Sequence, residues 1–151
     1  MIDPNYISGY VDGEGSFLVS FSPREKLSIG LEARPSFSVS QREDRSEVLD
    51  LMQSYFDCGF IRYSKRDRNR RYEVRNLKDL NKVVIPHFRK FPLLSSKIKD
   101  FEVFTQICDL MQNEQHRTRD GFINIINLAI SMNIGGSRRY DKKYLLSKLK
   151  I

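Results

Sequence analysis

The chain has 151 residues, 40% hydrophobic and 30% charged, with a formal net charge of +7. That is enough for one domain with a real core, and it excludes a disordered polyelectrolyte. No apolar run approaches the roughly 20 residues of a membrane span, no charged-then-apolar leader opens the chain, and Cys58 and Cys108 lack neighbours at metal-ligand spacing, which together predict a soluble intracellular protein with reduced thiols.

Asp3 followed by Pro4 is an N-cap followed by a first helical residue, so a helix is predicted from Pro4 onward. Gly9 and Gly13 are four apart and share one face, where the missing side chains let a second backbone come close. The helix runs through Asp12 and Glu14 and stops at Gly15. A carboxylate at its foot suits a hard cation such as Mg²⁺, which is held by one or two carboxylates plus phosphate and water.

Two strands follow. Ser16 to Ser22 alternates, with Phe17, Val19 and Phe21 inward; Pro23 to Lys26 turns the chain; Ile29 to Gln41 carries Leu31, Ala33, Phe37 and Val39 inward, with Pro35 predicting a bulge or a sheet edge. The outer faces are rich in serine, short enough to admit DNA and able to hydrogen-bond base edges. Ser20, Ser22, Arg24, Lys26, Arg34, Ser36, Ser38 and Ser40 are the candidate nucleic-acid contacts here.

Asp44-Arg45-Ser46-Glu47 reads as a capping box ahead of a helix with Val48, Leu49, Met52, Tyr55 and Phe56 on its apolar stripe and Gly59 as its stop. Phe60 to Lys65 and Arg71 to Asn76 form a predicted hairpin. Ile61, Tyr63, Tyr72 and Val74 face its core, and Arg66 to Arg70 make the loop. Arg62, Ser64, Lys65, Arg66, Arg68, Arg70, Arg71, Glu73 and Arg75 are assigned to the DNA-facing side. A short helix from Leu77 to Ile85 breaks around Pro86, and His87 is a packing or capping histidine. Helices are predicted from Lys97 to Gln112, Thr118 to Met132 and Tyr140 to Leu149, with Gly135-Gly136-Ser137 the linker-like spot.

Positive charge is concentrated. Residues 62–75 hold seven cations against two acids, and residues 137–151 hold six against one, each a net of +5. Charge so localised reads as a phosphate-binding surface, to which Arg138 and Arg139 are added.

The stretch Ile7-Ser8-Gly9-Tyr10-Val11-Asp12-Gly13-Glu14-Gly15 resembles the LAGLIDADG motif of homing endonucleases, with Glu14 for the usual final Asp and Ser8 for the usual Ala. The resemblance covers residues 3 to 112 in order and the tail from Thr118 more loosely. It implies an α+β protein, a single endonuclease domain over 1–151. The implied fold is αββαββα, with a DNA-binding antiparallel sheet and additional C-terminal helices. The motif occurs once, and in this family chains of this size pair as homodimers through the motif helices; Ile7, Gly9, Tyr10 and Gly13 are the expected interface. A two-fold protein expects a near-palindromic target.

By the same resemblance Glu14 is the metal-binding acid and Gly13 lends its carbonyl. Gln41 orients water, Arg45 is a cation of the same pocket, and Lys97 stands near the scissile phosphate, with Lys99 as its competitor; Asp12 shapes the helix. The implied activity is site-specific, Mg²⁺-dependent hydrolysis of double-stranded DNA by an enzyme of the kind encoded within mobile introns. Mn²⁺ is expected to substitute, and Ca²⁺ to bind without supporting cleavage. No membrane partner is expected, and both a bacterial cytoplasm and an organelle (chloroplast or mitochondrion) fit. The alternative is a non-cleaving nucleic-acid binder or RNA maturase of the same fold; the intact Glu14, Gln41 and Lys97 favour cleavage.

Overall fold

The structure, a computed structural model, describes residues 1–133, 136 and 138–150, so Gly135 and Ser137 of the expected linker lie outside the described residues. Helix α1 (Pro4–Glu14) starts as expected: the Asp3 carboxylate accepts a hydrogen bond from the Asn5 amide at 2.8 Å and Pro4 occupies the first turn. Its stop is steric. Gly15 sits at φ −87°, which any residue adopts, but a Cβ there would lie 2.5 Å from Val11 Cγ1. Strands β1 (Gly15–Pro23) and β2 (Leu31–Arg42) follow, then α2 (Glu47–Phe56), β3 (Phe60–Ser64) and β4 (Asn69–Val74). The four strands make one sheet in the order β1-β2-β4-β3, with β4 antiparallel to both β2 and β3.

Contacts divide the chain into two compact units, Met1–Phe17 with Ser36–Ile98 and Leu18–Pro35 with Lys99–Ile151. In the first, the core is aromatic. Phe17 stacks on Phe37 at 5.3 Å, Phe37 meets Phe88 edge-on at 5.5 Å, and Phe56 lies flat against Tyr72 at 6.2 Å. Phe37 is wholly buried, so its removal to Ala costs about 3–5 kcal/mol. In the second unit α5 (Lys97–Gln112) contributes Phe104, Ile107 and Cys108, and α6 (Arg119–Ile130), capped by Thr118, contributes Phe122, Ile125, Ile126 and Ala129. Phe21 of β1 rests on Phe122 at 5.8 Å, and α7 (Lys142–Lys148) adds Leu145.

Several local expectations are corrected. The capping box does not form: Glu43–Arg45 is a 3₁₀ turn that Ser46 closes by donating its hydroxyl to the Glu43 carbonyl, and α2 begins at Glu47. That helix ends on Asp57 at φ 54°, two residues before Gly59. Gly59, at φ 80°, is required instead where its Cα passes the Glu73 carbonyl, 2.7 Å from any added Cβ. Pro86 does not break its helix. From Leu77 the chain runs through α3 (Leu77–Asp79), a π turn (Leu80–Val84) and α4 (Ile85–Lys90). The wider turn, in which the Ile85 amide reaches back to the Leu80 carbonyl, accommodates the ring and its missing N–H. Pro35 lies within β2, an interior strand, but ahead of Phe37, where the pairing with β4 begins, so its missing N–H breaks none of the β2–β4 pairs. The β3–β4 turn is shorter than expected, Lys65 to Arg68.

Candidate active site and nucleic-acid interface

Of the expected catalytic residues, Gly13, Glu14 and Lys97 meet at the foot of α1. Glu14, in the last turn, is exposed and has no hydrogen-bond or ion-pair partner among the described residues. Gly13 precedes it, in the turn whose carbonyls lack intrahelical donors. Lys97 donates its ammonium to the carbonyls of Val11 at 2.8 Å and Gly15 at 2.6 Å, one on each side of Glu14 in sequence. A cation there is favourable at a helix C-terminus; Lys99, two residues on, is exposed. Arg45 and Glu47 come close enough to act on Tyr10. Burial, Glu14 and Tyr6 raise the phenol above its ordinary range, and Arg45 opposes them. Gln41, next to last in β2 and half-buried, is paired with Arg70 and so lies on the helix-bearing face of the sheet.

Asp12 is structural. It accepts from the amides of Leu94 at 2.7 Å and Ser95 at 3.2 Å, and from the Ser95 hydroxyl at 2.6 Å. Burial opposes its ionisation, but these bonds and the nearby Lys97 ammonium outweigh burial and hold the carboxyl below its usual range. The same helix is tied to α4. Ser8, 4% exposed, donates to the Phe91 carbonyl at 2.6 Å, which leaves its oxygen to accept from His87 Nε2 at 3.1 Å; Nδ1 then accepts from the Tyr55 hydroxyl at 2.9 Å. Burial depresses the imidazole pKa to about 4.

The opposite face of α1 is open. A Cβ added at Gly9 or Gly13 would meet nothing within 4 Å; Tyr6 is exposed and stands 6.1 Å from the half-buried Tyr10. Ile7 is a correction: at 0% exposure it belongs to the chain's own core, and the open face of α1 carries Tyr6, Gly9, Tyr10 and Gly13.

On the sheet, directly opposed residues share a face. The outer face of the first unit therefore carries rows Ser38–Glu73–Phe60, Ser40–Arg71–Arg62 and Arg42–Asn69–Ser64. Arg71 donates to Ser40 Oγ at 3.0 Å, and Ser64 to Asp67 at 3.3 Å. Exposed Arg62 and Arg71, with Ser40, Ser64 and Asn69, line a groove of about 450 Å³. Lys65, Arg66 and Arg68 are exposed at the turn. Three assigned contacts are shielded: Ser36, Ser38 and Glu73 have the right parity but are buried, at 8%, 3% and 5%. A fourth is on the wrong side. Arg70 alternates with Tyr72 onto the helix-bearing face, where its guanidinium clasps Asp50 of α2 through two 2.9 Å bonds and also donates to Ser46. Tyr63 shares that face but lies at its rim, 54% exposed and hydrogen-bonded to Glu43.

In the second unit, Ser20, Ser22, Arg24, Lys26 and Arg34 lie at least partly exposed, with Glu32 pairing both Arg24 and Arg34. A cavity of about 410 Å³ opens between β1 and the segment after α6, lined by Ser20, Ser22, Arg34, Arg139 and Tyr140 among others. Arg139 lies over the Tyr140 ring at 5.2 Å. Arg138, exposed and lining the same cavity, also donates to the carbonyls of Val19 and Ala129, closing the C-terminal end of α6.

Sequence reasoning missed Phe60, which the parity of Ile61 and Tyr63 places on the outer face, beneath Arg62 and Arg75. It also missed the Ser8–His87–Tyr55 chain, which joins residues far apart in sequence and left no periodic signal.

A family model described as LAGLIDADG endonuclease matches residues 7–108. Among curated proteins, a probable intron-encoded endonuclease 2 of Neurospora crassa is 31% identical over 95% of this chain and 32% of its own length. The chain spans a quarter to a third of the first such relatives it matches. Among solved structures, the homing endonuclease I-TnaI is 32% identical with a TM-score of 0.84, over 89% of this chain and 90% of that one. I-SmaMI bound to an uncleaved DNA target in the presence of calcium ions is 28% identical with a TM-score of 0.86, over 91% of this chain and 47% of that one.

Proposed function

The chain belongs to the LAGLIDADG endonuclease family, and from that premise we propose that it is a site-specific, intron-encoded homing endonuclease that hydrolyses both strands of a long, near-palindromic DNA target. The observation that carries the reading is Glu14: an exposed, unpartnered carboxylate at the end of a helix, beside a lysine pinned to that helix's terminal carbonyls.

The donor set fits a hard divalent cation. Glu14 offers carboxylate oxygen and Gly13 a carbonyl, and among the described residues no cluster of three or more acids, histidines or cysteines competes for it. One acid per chain is a sparse site, so the reading includes a second module, a homodimeric copy in this proposal, brought in across the open face of α1. A bound Mg²⁺ supplies Lewis-acid stabilisation of the phosphoryl and leaving oxygens, with Mn²⁺ able to replace it. Ca²⁺ supports binding alone, in keeping with the calcium-containing, uncleaved complex of I-SmaMI. Lys97 places a fixed positive charge where negative charge grows on the phosphate. Gln41 offers an amide to orient the attacking water, and Arg45 adds a cation to the same pocket.

DNA is held by the outer faces of the strands. Arg62, Ser64, Arg71 and Arg75 serve in one unit, Ser20, Ser22, Arg24, Lys26 and Arg34 in the other; Lys65, Arg66, Arg68 and Arg139 bind phosphate. The 151 residues act as one endonuclease domain. Acting on such a site places the protein where that DNA resides, a bacterial cytoplasm or an organelle. Among the described residues no helix is long and apolar enough to cross a membrane. A supercoiled plasmid bearing the intron-free insertion site tests the reading: linearisation with Mg²⁺ and none without it is expected, and an intact plasmid in both would reject it.

A further inference from the structure

On the outer face of β3 and β4 two arginines converge on one buried carboxylate. Arg62 Nη2 lies 3.0 Å from Glu73 Oε1, and Arg75 Nε lies 3.6 Å from the same oxygen. Both guanidinium groups also sit over the ring of Phe60, at 5.6 and 5.0 Å. Phe60 is directly across the strand pair from Glu73, so ring and carboxylate form a single seat for the two cations.

The three polar side chains differ in access. By side chain alone, Glu73 is 7% exposed, Arg62 55% and Arg75 42%. A carboxylate reads cytosine by accepting from its exocyclic amine, which needs an approach that Glu73, under two guanidinium groups, does not offer. The arginines do face solvent, and they are engaged differently. Arg62 spends a terminal nitrogen on Glu73. Arg75 is approached through Nε, and among the described residues its terminal nitrogens, the pair whose spacing matches O6 and N7 of guanine in the major groove, have no hydrogen-bond partner.

We infer that Glu73 is a positioning residue for sequence discrimination: with Phe60 and the brace of Arg62 it holds Arg75 in the orientation that reads one guanine in the target. The inference rests on the reading of this sheet face as DNA-binding. A free arginine finds a phosphate as readily as a base, and phosphate contact carries no sequence information. The seat therefore exchanges general attraction for discrimination. Glu73 cancels one of the two positive charges and fixes the other fork before DNA arrives, so less side-chain freedom is lost on binding.

The experiment selects bound duplexes from a randomised library with the full chain, in Ca²⁺, and compares wild type, Glu73→Gln and Arg75→Lys. Wild type should enrich a consensus with a strongly required guanine. Glu73→Gln should lower the preference at that position by about five- to a hundredfold, while binding to arbitrary DNA tightens and the salt slope steepens by about one as the freed cation turns to phosphate. A merely structural role would weaken both together. Arg75→Lys keeps the charge and loses the fork, so the guanine preference should fall at an unchanged slope. This exposed change decides the matter if Glu73→Gln fails to fold. A consensus that either folded variant leaves intact overturns the inference alone; a wild-type chain that enriches no consensus overturns the DNA-binding reading and this inference with it.

Discussion

Adding one methyl at Gly9 should move two measurements in opposite directions. Nothing lies within 4 Å of a Cβ built there, and Gly9 is interior to α1. Alanine is favoured over glycine in a helix interior by about 0.8–1.0 kcal/mol, so Gly9→Ala should stabilise the isolated chain by up to about 1 kcal/mol. If that open face is where a second copy lies, the methyl is pressed between two backbones, and a two-fold axis presents it from both sides. Overpacking of this kind costs about 1–3 kcal/mol, which raises the dimer dissociation constant about five- to a hundredfold. Gly9→Leu should abolish pairing and cleavage outright. Because a dimer's apparent stability depends on concentration, denaturation is best followed at dilutions where sedimentation shows monomers. Two results would refute the reasoning: a wild-type chain that sediments as a monomer at micromolar concentration while still cleaving, or a Gly9→Leu chain that pairs and cleaves normally.

Glu14→Gln should lose cleavage while keeping its fold and most of its DNA affinity, and Glu14→Asp should retain part of the rate; paired gel-shift and cleavage assays on one duplex decide, and undiminished cleavage by the glutamine variant moves the metal site elsewhere. Replacing Arg66 or Arg68 should weaken binding on all sequences and lower the salt slope by about one. Arg70→Met should leave that slope alone and cost below about 1 kcal/mol of stability, because its ion pair with the largely exposed Asp50 is partly screened; a slope change on Arg70→Met would return Arg70 to the DNA face. His87 makes stability fall with acid. Its folded pKa of about 4 lies below the ordinary 6.5, so the unfolded chain binds the proton first and up to about 3 kcal/mol is lost between about pH 6.5 and 4. His87→Gln should flatten that limb of urea-denaturation stability against pH, and an unchanged limb would assign it to other groups.

The architecture was legible because its signals are periodic and local. Alternating Phe17, Val19 and Phe21, the cap at Asp3 and the apolar stripe of Val48, Leu49, Met52 and Phe56 each need only near neighbours to be read. What failed depended on partners distant in sequence. Ser36 and Ser38 have outward parity, but alternation says nothing of the side chains beside them, and Arg70 switched sides because the β3–β4 turn proved shorter than a charged loop suggested. The motif itself placed Glu14 and Gly13 correctly at the helix foot. It does not sort the two sides of the helix: Ile7 shares the inner side with Ser8 and Val11, and only burial shows this.

Ser8 stands where the family motif usually has alanine, and its hydroxyl is shared between the Phe91 carbonyl and His87, which in turn engages Tyr55. Chimeras assembled by exchanging motif helices between relatives would import alanine at this position and leave a buried imidazole N–H unanswered, a cost of about 1–3 kcal/mol at each seam. Ser8, Tyr55 and His87 therefore form an inheritance unit: a recombinant nuclease made from this scaffold should carry all three across together or replace all three with apolar residues of matching shape.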